Sequence, residues 1–423
     1  MTIFRQFTAD DAVRAAEAAL ARATGRPVAI GEVQQVSADD RRNLILRASA
    51  VAHDASAEAV IIKATRAPGT DAAVSNIYQT SGFLREWAAT TLLARRAARH
   101  GRRAALLAAD TAQGVLVLRD FGAGLASLVQ PLLHGSATAA EQGLTAYALA
   151  LARLHGETVG CRAEHGAIVR EGFPAAQVPP PGDRWIERIA RPALALVATH
   201  LPDLPASPPE SELALLERHM QAPGPWQALM HGDPCPDNVL LPADGTAALP
   251  AEGTVVPSAS GDAVLIDFEF TRPGHALLDA AYWRMGFPTC WCAGRVPEAV
   301  SERIDQAYRA ALAEAVPTAA NDAAFRQESA LISVAWLFGA LSWRLQAALG
   351  DDPRWGLAAM RGRILHYLET AVALATAADA LPGTRAAAAG WLDALRVRWP
   401  DSTPLALYPA FAPPPVAPVP APA

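Results

Sequence analysis

The sequence predicts an α+β fold in which an antiparallel sheet with helices comes first and a larger, mainly helical part follows. Two observations predict it. Residues 8–119 alternate helix-like stretches with short apolar stretches that are bounded by polar turns, as in a helix-bearing meander. From about residue 137 onward, apolar residues recur mostly at three- and four-residue spacing, which is typical of helices.

Composition supports a large folded core and excludes some functions. The chain has 423 residues, of which 51% are apolar and 18% are charged, so disorder over its whole length is excluded. At roughly 150 residues per domain, this length suggests two or three domains or two lobes of one fold. The formal net charge of −6 argues against a surface that binds nucleic acid.

The expected location is a reducing cytoplasm, with no membrane partner. The apolar, uncharged run Ser329–Trp343 is shorter than the ~20 residues that a spanning helix needs, so it predicts a buried core helix. The first 20 residues lack the basic-then-apolar layout of a signal peptide. Four cysteines in a chain of this length do not indicate a disulfide framework.

The N-terminal elements have recognisable boundaries. The first helix spans residues 8–24, where Thr8 or Asp10 can cap it and Gly25 ends it. Alternating polar turns and apolar stretches then predict strands and one further helix. They are strands at Val28–Val36, Asn43–Ala52 and Ala59–Thr65, a helix at Phe83–His100 and a strand at Gly114–Leu118.

The C-terminal elements are mostly helices. A long helix is predicted over 137–155, and helices over 300–398 place Trp336, Trp343, Trp355 and Trp391 in the core. Strand-like stretches QALMHG, NVLLP and DAVLIDF lie between these helical regions, and an insertion at 242–262 is expected to be a mobile surface loop. The stretch from Tyr408 is rich in Pro and Ala and predicts a loose tail.

Lys63 is the only lysine among 36 basic residues. It lies inside the apolar run AVIIKAT, where a charge is costly unless it has a partner. Lysine is a compact point charge on a slim stem, so arginine cannot simply replace it. The alternative is that codon bias left one lysine whose side chain reaches out of an edge strand.

The strongest motif is HGDPCPDN at 231–238, which lies between two apolar strands. Thirty residues on, Asp267 ends another apolar strand in the stretch VLIDFE. Carboxylate and amide oxygens without histidine or thiolate suit Mg²⁺, and a further carboxylate can take a proton from a hydroxyl. These are the parts that phosphoryl transfer requires. The alternative is a turn capped by its own Asp and Asn.

Other candidate residues carry weaker signals. Cys290 and Cys292 with Cys235 or His275 suggest zinc only weakly, because no second cysteine pair has the spacing of a zinc site. His231 is expected to brace the loop rather than act as an acid or base. Asp279 is either a support of the catalytic loop or a carboxylate on a helix surface.

These motifs resemble those of the aminoglycoside phosphotransferase family, small-molecule kinases with the two-lobed protein-kinase-like fold. HGDPCPDNVLL is similar to the catalytic loop and VLIDFE to the metal-binding strand. The resemblance implies that Asp233 is the catalytic base or the carboxylate that orients the acceptor, and that Asn238 and Asp267 are Mg²⁺ ligands. Gly232, where protein kinases carry arginine, favours a small-molecule hydroxyl acceptor over a protein.

The resemblance also assigns nucleotide-binding residues in the first 120 positions. Lys63 matches the lysine that contacts the α and β phosphates of ATP, or of GTP, and Glu86 in FLREW matches its ion-pair partner. The segment Val115–Gly122 (VLVLRDFG) resembles the hinge that joins the lobes, whose backbone, at Leu118, would hold the adenine. The loop that covers the phosphates corresponds to SADDRRN, which contains no glycine, and Ser37, Arg42 and Asn43 would supply hydrogen bonds there.

The resulting expectation is an N-lobe at 1–120, a C-lobe at 121–402 and a tail at 403–423. The acceptor and the oligomeric state are not predicted. An alternative function is a nucleotide-binding pseudokinase that acts as a regulatory or scaffold module, which the glycine-free loop favours. A protein kinase is disfavoured by Gly232 and by the absence of a recognisable activation segment after Asp267.

Overall fold

A computed structural model describes residues 8–38, 41–52, 58–65, 82–99, 105–122, 124–176, 182–202, 207–242 and 263–413. It confirms the predicted fold class, with an antiparallel sheet in the N-terminal region and a mainly helical C-terminal part. Of the predicted insertion at 242–262, only Pro242 lies within the described residues.

The described part of the N-terminal region contains a five-stranded antiparallel sheet and two helices. Its strand order is β1-β2-β3-β5-β4, and the short, alanine-rich β4 was not predicted. The elements are α1 (Ala9–Thr24), β1 (Val28–Gln35), β2 (Asn43–Ala52), β3 (Glu58–Thr65), α2 (Phe83–Arg99), β4 (Leu106–Asp110) and β5 (Val115–Arg119).

Helix α1 shows why the sequence signals at its two ends were reliable. The Thr8 side chain accepts a hydrogen bond from the backbone of Asp11, and the Asp11 carboxylate accepts one from the backbone of Thr8. The helix ends at Gly25, whose φ of 70° is one that glycine adopts without strain. Its apolar face packs on the sheet, mainly through Ala16 and Leu20.

The C-terminal part surrounds one large core with helices and places short strands at its edge. Strands β7 and β10 pair antiparallel, and β6, β8 and β9 form a second small sheet. The elements are β6 (Leu125–Ser127), α3 (Val129–His134), α4 (Ala137–Glu157), α5 (Arg162–Gly172), α6 (Arg191–His200), α7 (Glu210–Gln221), β7 (Gln227–Met230), β8 (Val239–Pro242), β9 (Val264–Leu265), β10 (Arg272–His275), α8 (Leu277–Ala280), α9 (Glu298–Ala313), α10 (Asp322–Leu349), β11 (Arg354–Trp355), β12 (Ala358–Ala359), α11 (Met360–Ala377) and α12 (Pro382–Arg398).

Helix α10 contains the predicted core segment and packs against α6 and α11. By length and composition alone it is the one helix among the described residues that could cross a membrane. Within its most apolar stretch, 67% is buried inside the protein, as expected of the core helix that the sequence predicted.

Two of the four tryptophans predicted in the core are not there. Trp391 is buried and Trp336 is half-buried, but Trp343 is 58% exposed and Trp355 is also exposed. Trp343 lies on the face of α10 that borders a cavity, and Trp355 lies in the short hairpin β11–β12. Apolar spacing along a helix shows which residues share a face, but it does not tell a packed face from one that borders an open cavity.

The prediction of a loose tail from Tyr408 is wrong for its first residues. The Tyr408 ring is 1% exposed and packs on Phe287 in the main core. Its backbone N–H donates to the carbonyl of Arg295, and residue Leu407 bridges to the same Arg295. A buried aromatic ring therefore anchors this segment, and the Pro/Ala composition around it did not reveal that anchor.

Candidate active site

The loop after β7 is held in a conformation that requires glycine at position 232. Gly232 has a φ of 82°, and a Cβ atom there would lie 2.3 Å from the carbonyl oxygen of Phe270. The carboxylate of Asp279 is buried and accepts the backbone N–H groups of His231, at 2.6 Å, and Gly232, at 3.0 Å. Asp279 therefore supports this loop and is not a surface carboxylate.

His231 braces the same loop, as predicted. Its ring is buried, and its Nε2 atom lies 2.9 Å from the carbonyl oxygen of Ile266. Burial lowers the pKa of His231 below its ordinary value. The ring therefore ties the loop after β7 to the strand that leads into Asp267, which places the two motifs side by side.

Asp233 follows Gly232 and is held by a residue that the sequence did not indicate. The hydroxyl of Thr289 donates to Oδ1 of Asp233 at 2.6 Å and also contacts the hydroxyl of Tyr282. Burial raises the pKa of Asp233 to about 6; the Thr289 hydrogen bond lowers it, and nearby Asp267 adds to the rise. A carboxylate tuned toward neutral pH suits a general base.

Asn238 presents its side-chain oxygen to the same region. Its Nδ2 atom donates to the backbone carbonyl of Asp233 at 3.0 Å, which leaves the amide oxygen as the atom for another ligand. The backbone carbonyl of Asn238 accepts the N–H of Ile266, just before Asp267. The turn that starts at Asp233 thus fixes Asn238 next to the predicted metal-binding strand.

Asp267 has an unusual backbone conformation. Its φ and ψ are 65° and 66°, in the left-handed region that non-glycine residues rarely adopt. Such backbone strain occurs often at functional sites. The side chain is 36% exposed, and its Oδ1 atom lies 2.5 Å from Nζ of Lys63.

Lys63 joins the sheet to this site. It lies on β3, and its Nζ atom is 2.6 Å from Oε2 of Glu86 on α2, so the predicted ion pair is present. Both side chains are largely buried, at 10% and 3% exposure. Burial alone would lower the pKa of Lys63, but the carboxylates of Glu86 and Asp267 outweigh burial and raise the pKa above its ordinary value.

Asn43 and Ser37, which are predicted to contact phosphates, each bond to another part of the protein. Asn43 donates to Oε2 of Glu269 at 3.2 Å, and Arg42 pairs with the other carboxylate oxygen of Glu269. Ser37 is used within the β1–β2 turn, where its hydroxyl oxygen accepts the N–H of Ile45. Glu269, which was not predicted, thus ties the turn to the Asp267 segment.

Leu118, whose backbone is predicted to hold adenine, is half-buried on β5. It pairs in register with Ile61 of β3 and Leu106 of β4, and its side chain packs against the main core. The next residue, Arg119, forms an ion pair with Glu58. The chain leaves the sheet here, between the N-terminal region and the helical part.

The cysteines form no disulfide framework among the described residues, but two of them form one bond that the sequence did not indicate. Cys235, between Asp233 and Asn238, is bonded to Cys290, with their Cα atoms 5.6 Å apart. The two residues are separated by 55 positions, so no local pattern indicated the pair. The bond ties the Asp233 loop to the segment that carries Thr289. It also leaves no cysteine pair for zinc, and a cytoplasmic location loses the support of the cysteine count.

The oxygen ligands around Asp267 fit Mg²⁺ better than a transition metal. The free amide oxygen of Asn238 and the carboxylate of Asp267 are hard ligands, and Mg²⁺ is usually completed by waters and substrate phosphates. Among the described residues, no three His, Cys, Asp or Glu side chains gather as metal ligands. Asn238 and Asp267 would therefore hold Mg²⁺ together with a bound nucleotide, rather than form a closed metal cage.

A scan against protein-family models and a search of curated proteins found no match. Among solved structures, the chain is similar to a choline/ethanolamine kinase family protein from Mesorhizobium loti, with 16% sequence identity and a TM-score of 0.39. The match covers 85% of this chain and 92% of that chain. A TM-score this low carries no argument about activity, so the interpretation rests on the geometry of the site.

Proposed function

We propose that the protein is a phosphotransferase that moves the γ-phosphoryl group of ATP, or of GTP, to a hydroxyl group of a small molecule, with Mg²⁺ as its metal. The observation that supports this best is the continuous contact from Glu86 through Lys63 to Asp267. It brings the only lysine of the chain to the carboxylate that ends the second motif. Phosphoryl transfer depends on such placement of charges around a triphosphate.

Each residue then has one role. Lys63 would contact the nucleotide phosphates, and Glu86 would orient its ammonium group. Asn238 and Asp267 would hold Mg²⁺, which neutralises charge on the phosphates. Asp233, held by Thr289, would orient the acceptor hydroxyl and take its proton. Lys63 contacts Asp267 directly, so a bound nucleotide would share these two charged groups.

A transfer assay tests the proposal. γ-Labelled ATP or GTP is incubated with a library of hydroxyl-bearing metabolites and antibiotics, with and without Mg²⁺. We expect labelled product from at least one acceptor and slow release of labelled phosphate to water, both of which require Mg²⁺. Nucleotide binding without transfer or hydrolysis would favour the regulatory alternative, for which the tie of Arg42 and Asn43 to Glu269 is the supporting observation.

The pKa of Asp233 predicts how activity depends on pH. Because Asp233 must be deprotonated to accept a proton, kcat/KM is expected to fall as the pH drops through about 6. Thr289→Val removes the hydrogen bond that lowers this pKa, so the fall is expected at higher pH. Thr289→Ser keeps a hydroxyl and should retain the wild-type profile. Superimposable profiles of the wild type and Thr289→Val would contradict the role given to Thr289.

A further inference from the structure

A cavity of about 480 Å³ adjoins the proposed site and has no role so far. Its lining includes Asp233 and Thr289. It extends between α10, the π-helical turn Ile186–Ala190 and the end of β7. A cavity of this size lies within the range that small-molecule ligands fill. An acceptor with its hydroxyl at Asp233 would occupy this space.

Aromatic and aliphatic side chains form most of the cavity wall. Trp336 and Trp343 lie seven residues apart on α10, with Gly339 between them on the same face. The indole N–H of Trp336 donates to the carbonyl of Leu278, so the ring offers its apolar surface to the cavity. The remaining apolar wall includes Trp185, Ile189, Met220, Met230, Leu278 and Phe270.

The described cavity wall offers few carboxylates that could pair with a cationic ligand. The only carboxylates among the described lining residues are Asp233 and Asp279. Asp279 is fully buried and already accepts two backbone N–H groups and contacts His155. Asp233 is reserved for the acceptor hydroxyl, and the guanidinium of Arg272 also lines the cavity. Burying an ammonium group here without a free carboxylate partner would be costly.

We infer that the acceptor is an uncharged alcohol with a mainly apolar or aromatic body, an inference that rests on the phosphotransferase function proposed above. Its hydroxyl lies at Asp233 and its body lies against Trp185, Trp336 and Phe270. The acceptor oxygen forms a bond to the γ-phosphorus, and the bond from that phosphorus to the bridging oxygen breaks. The hydroxyl proton moves to the Asp233 carboxylate, and the nucleoside diphosphate leaves with the electron pair.

Matched acceptors test this inference. Primary alcohols that carry phenyl, naphthyl or cyclohexyl groups are compared with counterparts of similar size that carry an ammonium group, using γ-labelled ATP and Mg²⁺. We expect kcat/KM to be about tenfold or more higher for the neutral member of each pair, because the described lining has no carboxylate besides Asp233 and the already bonded Asp279 to pair with the cation. Equal or higher values for the ammonium alcohols would overturn the inference.

A variant of the cavity wall provides a second test. Gly339→Leu places a side chain in the cavity and is expected to raise KM for naphthyl alcohols more than for the smallest ones. Ala347→Leu, on an exposed position of the same helix, is the control and should have no effect. If both variants leave every KM unchanged, the acceptor binds elsewhere.

Binding without nucleotide separates this inference from the proposed function. The alcohols are titrated into the nucleotide-free protein while tryptophan fluorescence is recorded, since Trp343 is 58% exposed at the cavity. Saturable binding of the neutral alcohols, weakened by Gly339→Leu, is expected and would stand even if no phosphate were transferred. If the wild-type protein binds the neutral alcohols but shows no Mg²⁺-dependent hydrolysis or transfer, the phosphotransferase function is wrong and the inference about the cavity stands. If it transfers phosphate only to ammonium alcohols, the phosphotransferase function stands and the inference about the acceptor is wrong.

Discussion

Replacing Asp233 with alanine is expected to reduce phosphate transfer by about 10²–10⁴-fold, the contribution typical of a general base. Nucleotide affinity should stay nearly unchanged, because Asn238 bonds to the backbone carbonyl of residue 233 and not to its side chain. Thr289 keeps its contact with Tyr282 in this variant, so the loop should retain its shape. Labelled-phosphate transfer and calorimetric nucleotide binding measure the two quantities.

Asp237→Asn is the matched control for this experiment. Asp237 is an exposed carboxylate of the same loop, and its partner is the indole N–H of Trp291. Its removal should leave turnover within a few fold of the wild type. Equal losses in the two variants, or wild-type turnover in Asp233→Ala, would contradict the assignment of Asp233 as the base.

Asp267→Asn is expected to separate metal-dependent from metal-independent nucleotide binding. The substitution keeps the shape of the side chain but removes the charge that would hold Mg²⁺, and Lys63 retains Glu86 as its partner. Affinity for Mg²⁺-nucleotide should fall about 10–100-fold, since even indirect disturbance of a metal site has effects of this size. Affinity measured with a chelator present should not fall, and turnover should be lost.

The control for this variant is Asp393→Asn, a carboxylate on α12 whose side chain is 79% exposed. It should bind nucleotide as the wild type does, with and without Mg²⁺. If Asp267→Asn shows the same ratio of affinities with and without Mg²⁺ as the wild type, then Asp267 is not a metal ligand.

The elements that the sequence predicted well are those with local signals. The capping of α1 by Thr8 and its end at Gly25 depend on contacts within a few residues, and the bounds of β2 follow from apolar alternation. Strand β4 was missed because LLAAD is short and lacks β-branched residues. The prediction of which side chains are buried was wrong where burial depends on packing between distant parts of the chain. Trp343 was predicted to be buried and is exposed, whereas Tyr408 was predicted to lie in a loose tail and is buried.

The same distinction holds within the site. Asp233, Asn238 and Asp267 could be proposed because each lies in a compact motif, and Lys63 because its charge conflicts with an apolar strand. Thr289 could not be proposed, because a single polar residue far along the chain carries no periodic or spacing signal. Glu269 lies in the same motif as Asp267, but the motif does not show that its carboxylate meets the turn after β1. The Cys235–Cys290 bond was hidden for the same reason: its partners meet only after the loops pack together.

The most direct test of the central claim is an experimental structure with Mg²⁺ and a non-hydrolysable ATP analogue. We expect a metal ion about 2.0–2.1 Å from the side-chain oxygen of Asn238 and from the carboxylate of Asp267, with Lys63 bonded to a phosphate. A nucleotide bound away from Lys63, or a metal ion that contacts neither Asn238 nor Asp267, would contradict it.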